Sequence, residues 1–232
     1  MRAGRAGAGR LAMNHVANSF DTATGEEALL NADPVAAPPH VIFNDVYDPQ
    51  ISQALKLLAS TFTRRDDVAT LFLEGGTGVE LGVAGGDFSE RILQRSKIGY
   101  LYSIDMWAGD RGHDMQQYRE AIARLSPHRQ RNATLRMRFD EALPLFPDRS
   151  LDFIYVDGYA HDGELNGQTF NDWLPKLKPG GIIAGDDYHP DWPLVMAAVD
   201  RFVVEHGLEL HVIQCGEDSW NSKYPTWFAM KP

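Results

Sequence analysis

From Val79 to Met230, short apolar runs alternate with stretches of helical spacing, and no other feature of the sequence limits the fold so strongly. The runs Val79–Val83, Tyr100–Asp105, Ala133–Met137, Asp152–Asp157, Gly181–Gly185, Leu208–Gln214 and Thr226–Met230 read as seven strands. Between them, Phe88–Arg95, Met115–Leu125, Glu164–Leu177 and Leu194–His206 read as helices, with Pro193 suited to the first turn of the last. A short helical turn at Glu141–Leu145 fits between the third and fourth strands. Strands joined through crossover helices run parallel, so the expected fold is α/β and Rossmann-like: a mostly parallel seven-stranded sheet with helices on both faces. Ahead of it, Ile51, Leu55, Leu58 and Phe62 keep helical spacing and predict an amphipathic helix that packs across the core.

Residues 1–39 resist such a reading. The first ten are basic and rich in Gly and Ala without the apolar run of a secretory signal, a second methionine follows at Met13, and Ala36-Ala-Pro-Pro39 closes the stretch without periodicity. The expectation is an irregular, flexible arm over 1–39 and a single domain over 40–232. A content of 44% hydrophobic and 23% charged residues suits one sizeable core. With 22 Lys and Arg against 32 Asp and Glu, the net charge of −10 argues against nucleic acid as a partner. The single cysteine, Cys215, forms no internal disulfide and no zinc motif, which fits a reducing cytoplasm, and no run is long and apolar enough for a membrane helix. Nothing in these spacings encodes an oligomeric state, and a homo-oligomer is compatible with them.

Open parallel sheets bind ligands beyond the carboxyl ends of their strands. Here those ends read Glu80-Leu-Gly-Val-Ala-Gly-Gly86, Ser103-Ile-Asp105, Tyr155-Val-Asp157-Gly158 and Ala184-Gly-Asp186-Asp187. Gly82, Gly85 and Gly86 suit a tight strand-to-helix turn that lets a ligand approach the backbone. The spacing is not that of a dinucleotide fingerprint, and Glu80 and Asp87 would oppose a pyrophosphate. A ligand with an amino group suits the turn better. Asp105 stands where an acid commonly takes the two hydroxyls of an adenosine ribose, whether in NAD or in S-adenosylmethionine, and the acidic turn favours the latter. The bland alternative is a structural turn with solvated acids.

At this point the chain resembles a known family. Val79-Glu-Leu-Gly-Val-Ala-Gly-Gly-Asp-Phe-Ser-Glu90, Tyr102-Ser-Ile-Asp-Met-Trp107, Ser150-Leu-Asp-Phe-Ile-Tyr-Val-Asp-Gly158 and Leu177-Lys-Pro-Gly-Gly-Ile-Ile-Ala-Gly-Asp-Asp-Tyr188 are similar to the ordered motifs of class I S-adenosylmethionine-dependent methyltransferases. The resemblance is to the compact branch that includes metal-dependent sugar O-methyltransferases. It implies that Glu80, Gly82 and Gly85 line the methionine end of the cofactor, that Asp105 and Met106 hold the ribose, and that Phe139 stacks on the adenine.

Asp157, Asp186 and Asp187 close neighbouring strands, and three crowded carboxylates call for a cation; oxygen-only ligands point to Mg²⁺. The same positions match the metal-binding acids of the resembled family. The competing view makes Asp186 and Asp187 turn caps that bind nothing. His161, on the loop leaving Asp157, is the expected general base, with Asp157 beside it. Trp107–Asp114 is long enough for part of a lid, and the aromatic stretch Trp220–Trp227 reads as a hairpin with rings available to a sugar. The expected function is metal-assisted O-methylation of a hydroxyl on a sugar or glycosylated small molecule. The alternatives are a metal-independent small-molecule methyltransferase and a catalytically silent nucleotide-binding module.

Overall fold

The computed structural model of the chain describes residues 49–71, 74–109, 112–158, 163–214 and 223–232; the N-terminal arm, His161, Cys215 and Trp220 lie outside the described residues. In order, the elements are α1 (Pro49–Thr61), a 3₁₀ turn (Arg65–Leu71), β1 (Thr77–Leu81), α2 (Asp87–Arg95), β2 (Tyr100–Asp105), α3 (Met115–Leu125), β3 (Asn132–Arg136), α4 (Phe139–Ala142), β4 (Leu151–Val156), α5 (Gln168–Trp173), β5 (Leu177–Gly185), α6 (Pro193–Glu205), β6 (His211–Ile213) and β7 (Thr226–Met230). The seven strands form one sheet in the order β3-β2-β1-β4-β5-β7-β6. The first five are mutually parallel, and β7 is antiparallel to both β5 and β6. This is the α/β fold expected from the alternation of runs.

Strand alternation sends neighbouring side chains to opposite faces, and two apolar clusters result. On one face Val79, Leu81, Ile154, Val156, Ile183 and Trp227 pack with Phe170 and Trp173 of α5 and Val195, Val199 and Phe202 of α6. On the other, Leu101, Phe153, Tyr155, Ala184 and Phe228 pack with Leu55 and Ala59 of α1 and Phe88, Ile92 and Leu93 of α2.

Three elements depart from the sequence expectation. Helix α1 buries Ser52, Leu55 and Ala59, whereas Leu58 is 43% exposed. Small residues let the helix lie close to the sheet, and the Ser52 hydroxyl donates to Glu209 at the start of the β6 arm. The helix expected from Glu164 begins only at Gln168, because Asn166 and Gly167 are left-handed at φ 57° and 83°, and it ends in a 3₁₀ turn at Leu174–Lys176 around Pro175. The run Leu208–Gln214 yields only the three residues of β6.

Candidate active site

Strand register places the chemistry. Leu81 pairs with Ile104 of β2 and Val156 of β4, and Val156 pairs with Gly185 of β5, which pairs with Trp227 of β7. One step past that line stand Gly82, Asp105, Asp157, Asp186 and Thr226. The carboxyl edge of the sheet is therefore a row of acids and a glycine, as the strand-end rule anticipates.

The turn after β1 is built by that row. Gly82 has φ 97°, and a Cβ there would lie 2.2 Å from the carbonyl oxygen of Asp157, so only glycine fits. Asp105 then fastens the turn: its Oδ2 accepts from the backbone N–H of Val83 (2.9 Å) and Ala84 (3.0 Å), and its Oδ1 accepts from that of Trp107 (3.0 Å). His113 Nδ1 lies 3.0 Å from the same Oδ2. Burial opposes ionisation of Asp105, but the bonds from His113 and from the three backbone amides outweigh it and hold the carboxyl below its ordinary range. Much of the bonding capacity that the resemblance assigned to a ribose is thus spent on the chain itself, with Oδ1 the less occupied oxygen.

Beneath the turn, Glu80 is buried, and its carboxyl accepts from the hydroxyl of Ser89, which is 2.8 Å from that of Ser103. Burial pushes Glu80 up to about 8, against the opposing effects of Ser89 and Arg65. Glu80, Gly82, Gly85, Asp87, Phe88, His113, Asp157 and Arg65 line a pocket of about 230 Å³. A second pocket, of about 310 Å³, is lined by Met106, Phe139 and Arg138 together with α5 residues that include Gln168, Thr169 and Trp173. Phe139 also packs under Gly158, where a Cβ would approach its ring to 2.4 Å. The expected cofactor residues therefore divide between two neighbouring hollows: Glu80, Gly82 and Gly85 at one, Met106 and Phe139 at the other.

The acids assigned to Mg²⁺ are arranged otherwise than expected. Arg65, from the 3₁₀ turn before β1, inserts its guanidinium between Asp157 and Asp186: Nη2 donates to Asp157 Oδ2, and Nη1 is 3.3 Å from Asp186 Oδ2. The other oxygen of Asp186 accepts from Thr226 Oγ1 at 3.0 Å. The guanidinium carbon lies 4.0 Å from the Phe88 ring centre and 5.0 Å from that of Tyr155, so the cation contacts both rings as well as being paired. Burial alone would lower the Arg65 pKa, but Asp157 and Asp186 hold it well above its ordinary value. Asp187 is buried in a left-handed conformation, φ 63°, and its carbonyl accepts from His189. Among the described residues no group of three or more His, Cys, Asp and Glu is placed to hold a metal ion. The charge that Mg²⁺ was expected to balance at Asp157 and Asp186 is balanced by Arg65, so these carboxylates, hard donors in themselves, are not arranged around a cation site.

Sequence reasoning missed Arg65. The available signal was the run Arg64-Arg65-Asp66-Asp67 just ahead of the sheet. Asp66 is buried and receives Arg64 (3.1 Å), Arg95 (3.0 Å) and Arg91 (3.5 Å), and Asp67 receives Arg95 at 3.0 Å. Those pairs pin the turn to α2 and aim the next side chain, Arg65, into the site. Beyond Asp187, His189 and Trp192 stand by Tyr224 with ring centres 5.0 and 6.1 Å away.

A family model described as a methyltransferase domain matches residues 79–188. An uncharacterized protein of Sinorhizobium fredii, y4gI, is 33% identical over 119 residues, which are 47% of this chain and 13% of that protein; the chain thus spans only a small part of that relative. Among solved structures, the O-methyltransferase from Bacillus cereus in complex with SAH aligns with a TM-score of 0.52 at 14% identity, covering 81% of this chain and 83% of that one. The precorrin-6y C5,15-methyltransferase from Geobacter metallireducens aligns at 0.53 and 16%, covering 71% and 84%. At such identities the structures speak for the fold. Residues 79–188 thus resemble a methyltransferase domain, and the likeness to the solved structures shows a Rossmann-like α/β fold for the sheet around them. Among the described residues no helix is long and apolar enough to cross a membrane.

Proposed function

We propose that this chain transfers a methyl group from S-adenosylmethionine to a hydroxyl of a sugar or sugar-like small molecule. The observation that carries the reading is the pocket of about 230 Å³ in which a glycine turn without room for a Cβ faces a buried acid, Glu80. That cradle suits a ligand whose end bears an ammonium group, and the family match over residues 79–188 supports the same cofactor. When bound, S-adenosylmethionine supplies a methyl carbon made electrophilic by a sulfonium. The chain's residues do the rest: Glu80 and the turn receive the amino acid end, Asp105 keeps the turn in shape, and Met106 and Phe139 offer the second pocket to the adenine. A hydroxyl oxygen of the acceptor forms the new C–O bond as the C–S bond breaks, its electron pair stays with sulfur, and the hydroxyl proton leaves to a base.

His161, four residues after Asp157 in the sequence, is the proposed base, and Asp157 lines the pocket. The rings of His189, Trp192 and Tyr224, close in sequence to Asp187 and Thr226, support a sugar, because the apolar face of a pyranose packs on aromatic surfaces. The net charge of −10 supports a small molecule over a nucleic acid. The metal-assisted form of the reaction is not proposed, since Arg65 fills the expected ion position.

The reading is tested by following S-adenosylmethionine consumption over sugar, phenol and carboxylate acceptors, with and without Mg²⁺. Turnover on sugars is expected. Cofactor binding with no turnover on any acceptor would favour a silent nucleotide-binding module. His161→Ala is expected to lower kcat by roughly 10²–10⁴-fold at unchanged cofactor affinity, and a near-normal kcat would move the base elsewhere.

A further inference from the structure

We propose that Arg65 takes the place of a divalent ion at the acceptor edge of the site, so that methyl transfer by this chain needs no bound metal and Asp157 is presented to the acceptor by an ion pair. The acceptor half rests on the methyl-transfer reading above; the exclusion of a metal does not.

Adjacent parallel strands end in register at Val156 and Gly185, which forces Asp157 and Asp186 side by side. Two carboxylates so placed repel unless a cation stands between them. Arg65 provides it with two nitrogens of one planar group, each turned to a different acid. A guanidinium keeps its charge at every physiological pH and holds carboxylates in a fixed fork, and this one is tethered in place instead of being drawn from solution. A divalent ion would have to displace it from its place over the Phe88 and Tyr155 rings and leave a buried cation beside a second one. Both oxygens of Asp186 are already engaged, because Thr226 donates to Oδ1 and Arg65 faces Oδ2. Arg65 Nε, buried with no hydrogen-bond partner among the described residues, shows that the side chain is held there by its two terminal nitrogens and by ring contact.

Arg65 therefore acts through Asp157 as a positioning residue.

The decisive measurement is a titration of the full chain with Mn²⁺, followed by electron paramagnetic resonance. The wild type is expected to show no stoichiometric site into the millimolar range, and Arg65→Ser is expected to gain one Mn²⁺ per chain that Arg65→Ser with Asp157→Asn loses. A wild-type site that Asp157→Asn abolishes would overturn the proposal. Should Arg65→Ser fail to fold, the wild-type titration with its Asp157→Asn control still decides. Turnover is expected to persist in excess chelator, and loss of turnover restored by Mg²⁺ would also overturn it. For the positioning role, Arg65→Lys should lower kcat with little change in the KM for S-adenosylmethionine, and added guanidinium ion should restore part of the turnover of Arg65→Ser. A wild-type kcat in Arg65→Ser would sink that role. Calorimetry with S-adenosylmethionine on the same wild-type sample separates the two claims: absent cofactor binding defeats the methyl-transfer reading and leaves the Mn²⁺ result standing.

Discussion

Glu80 is a carboxyl that the fold keeps protonated until something positive arrives. Burial pushes it up to about 8, against an ordinary value of 4.5. Between those values the folded chain holds a proton that the unfolded chain has lost, so the stability of the cofactor-free protein should fall as pH rises from about 4.5 to about 8, by roughly a few kcal/mol in all. Glu80→Gln should flatten that slope in urea denaturation series. A cofactor ammonium beside Glu80 should release the proton, and calorimetry in buffers of different ionisation enthalpy would detect it; an uptake of protons on binding would contradict this. Gly82→Ala is the sharpest single test of the turn, because it combines a φ of 97° with a Cβ 2.2 Å from a carbonyl oxygen. It should cost about 3 kcal/mol or more in chemical denaturation. Glu80, Gly82, Gly85 and Asp157 were legible in the sequence because a strand end is a local pattern. Arg65 was not, since its meaning depends on an acid 92 residues away and on a register that only the folded sheet creates.

At the level of elements, β2, α3 and β7 matched the expected limits, because a run bounded by turn residues carries its own punctuation. The shortened α5 and the exposure of Leu58 in α1 were not legible: left-handed residues at 166 and 167 and close packing by Ser52 and Ala59 answer to neighbours remote in sequence. Ile51, Leu55 and Phe62 do pack against the core as expected. The 3₁₀ turn at Arg65–Leu71 matters more than its length suggests. Asp66, 3% exposed, gathers arginines from its own turn and from α2, and the arginines themselves reach solvent. Asp66→Ala should therefore cost only about 1–3 kcal/mol in urea unfolding, less than loss of a wholly buried partner. The same substitution should reduce kcat, because it frees the turn that aims Arg65. A variant with lowered stability and unaltered kcat would show that Arg65 is placed by its rings and acids alone.

For the molecule as a whole, the alternation of strands and helices specified the class of fold, and the motifs pointed to a methyltransferase-like domain, but neither specified how the acidic edge is neutralised. Nor did the sequence pattern announce that β7 would lie between β5 and β6, with Thr226 reaching Asp186. That placement has a consequence for the order in which the protein can be made. During synthesis β2 to β5 each emerge after a strand with which they pair, but β6 leaves the ribosome with no strand to join until β7 follows. In the interval the inner edge of β5 is open and Asp186 lacks its hydroxyl partner. Ribosome-bound chains in which Thr226–Met230 are still inside the exit tunnel should remain protease-sensitive around β5 and α6, and resistance should arrive abruptly once that segment is released. Limited proteolysis of stalled chains of graded length would show the step, and gradual protection from β5 onward would argue against it. A chain paused at that point already holds Glu80, Gly82, Asp105 and Asp157, yet Asp186 still waits for Thr226, so the carboxyl edge of the sheet is finished only when β7 arrives.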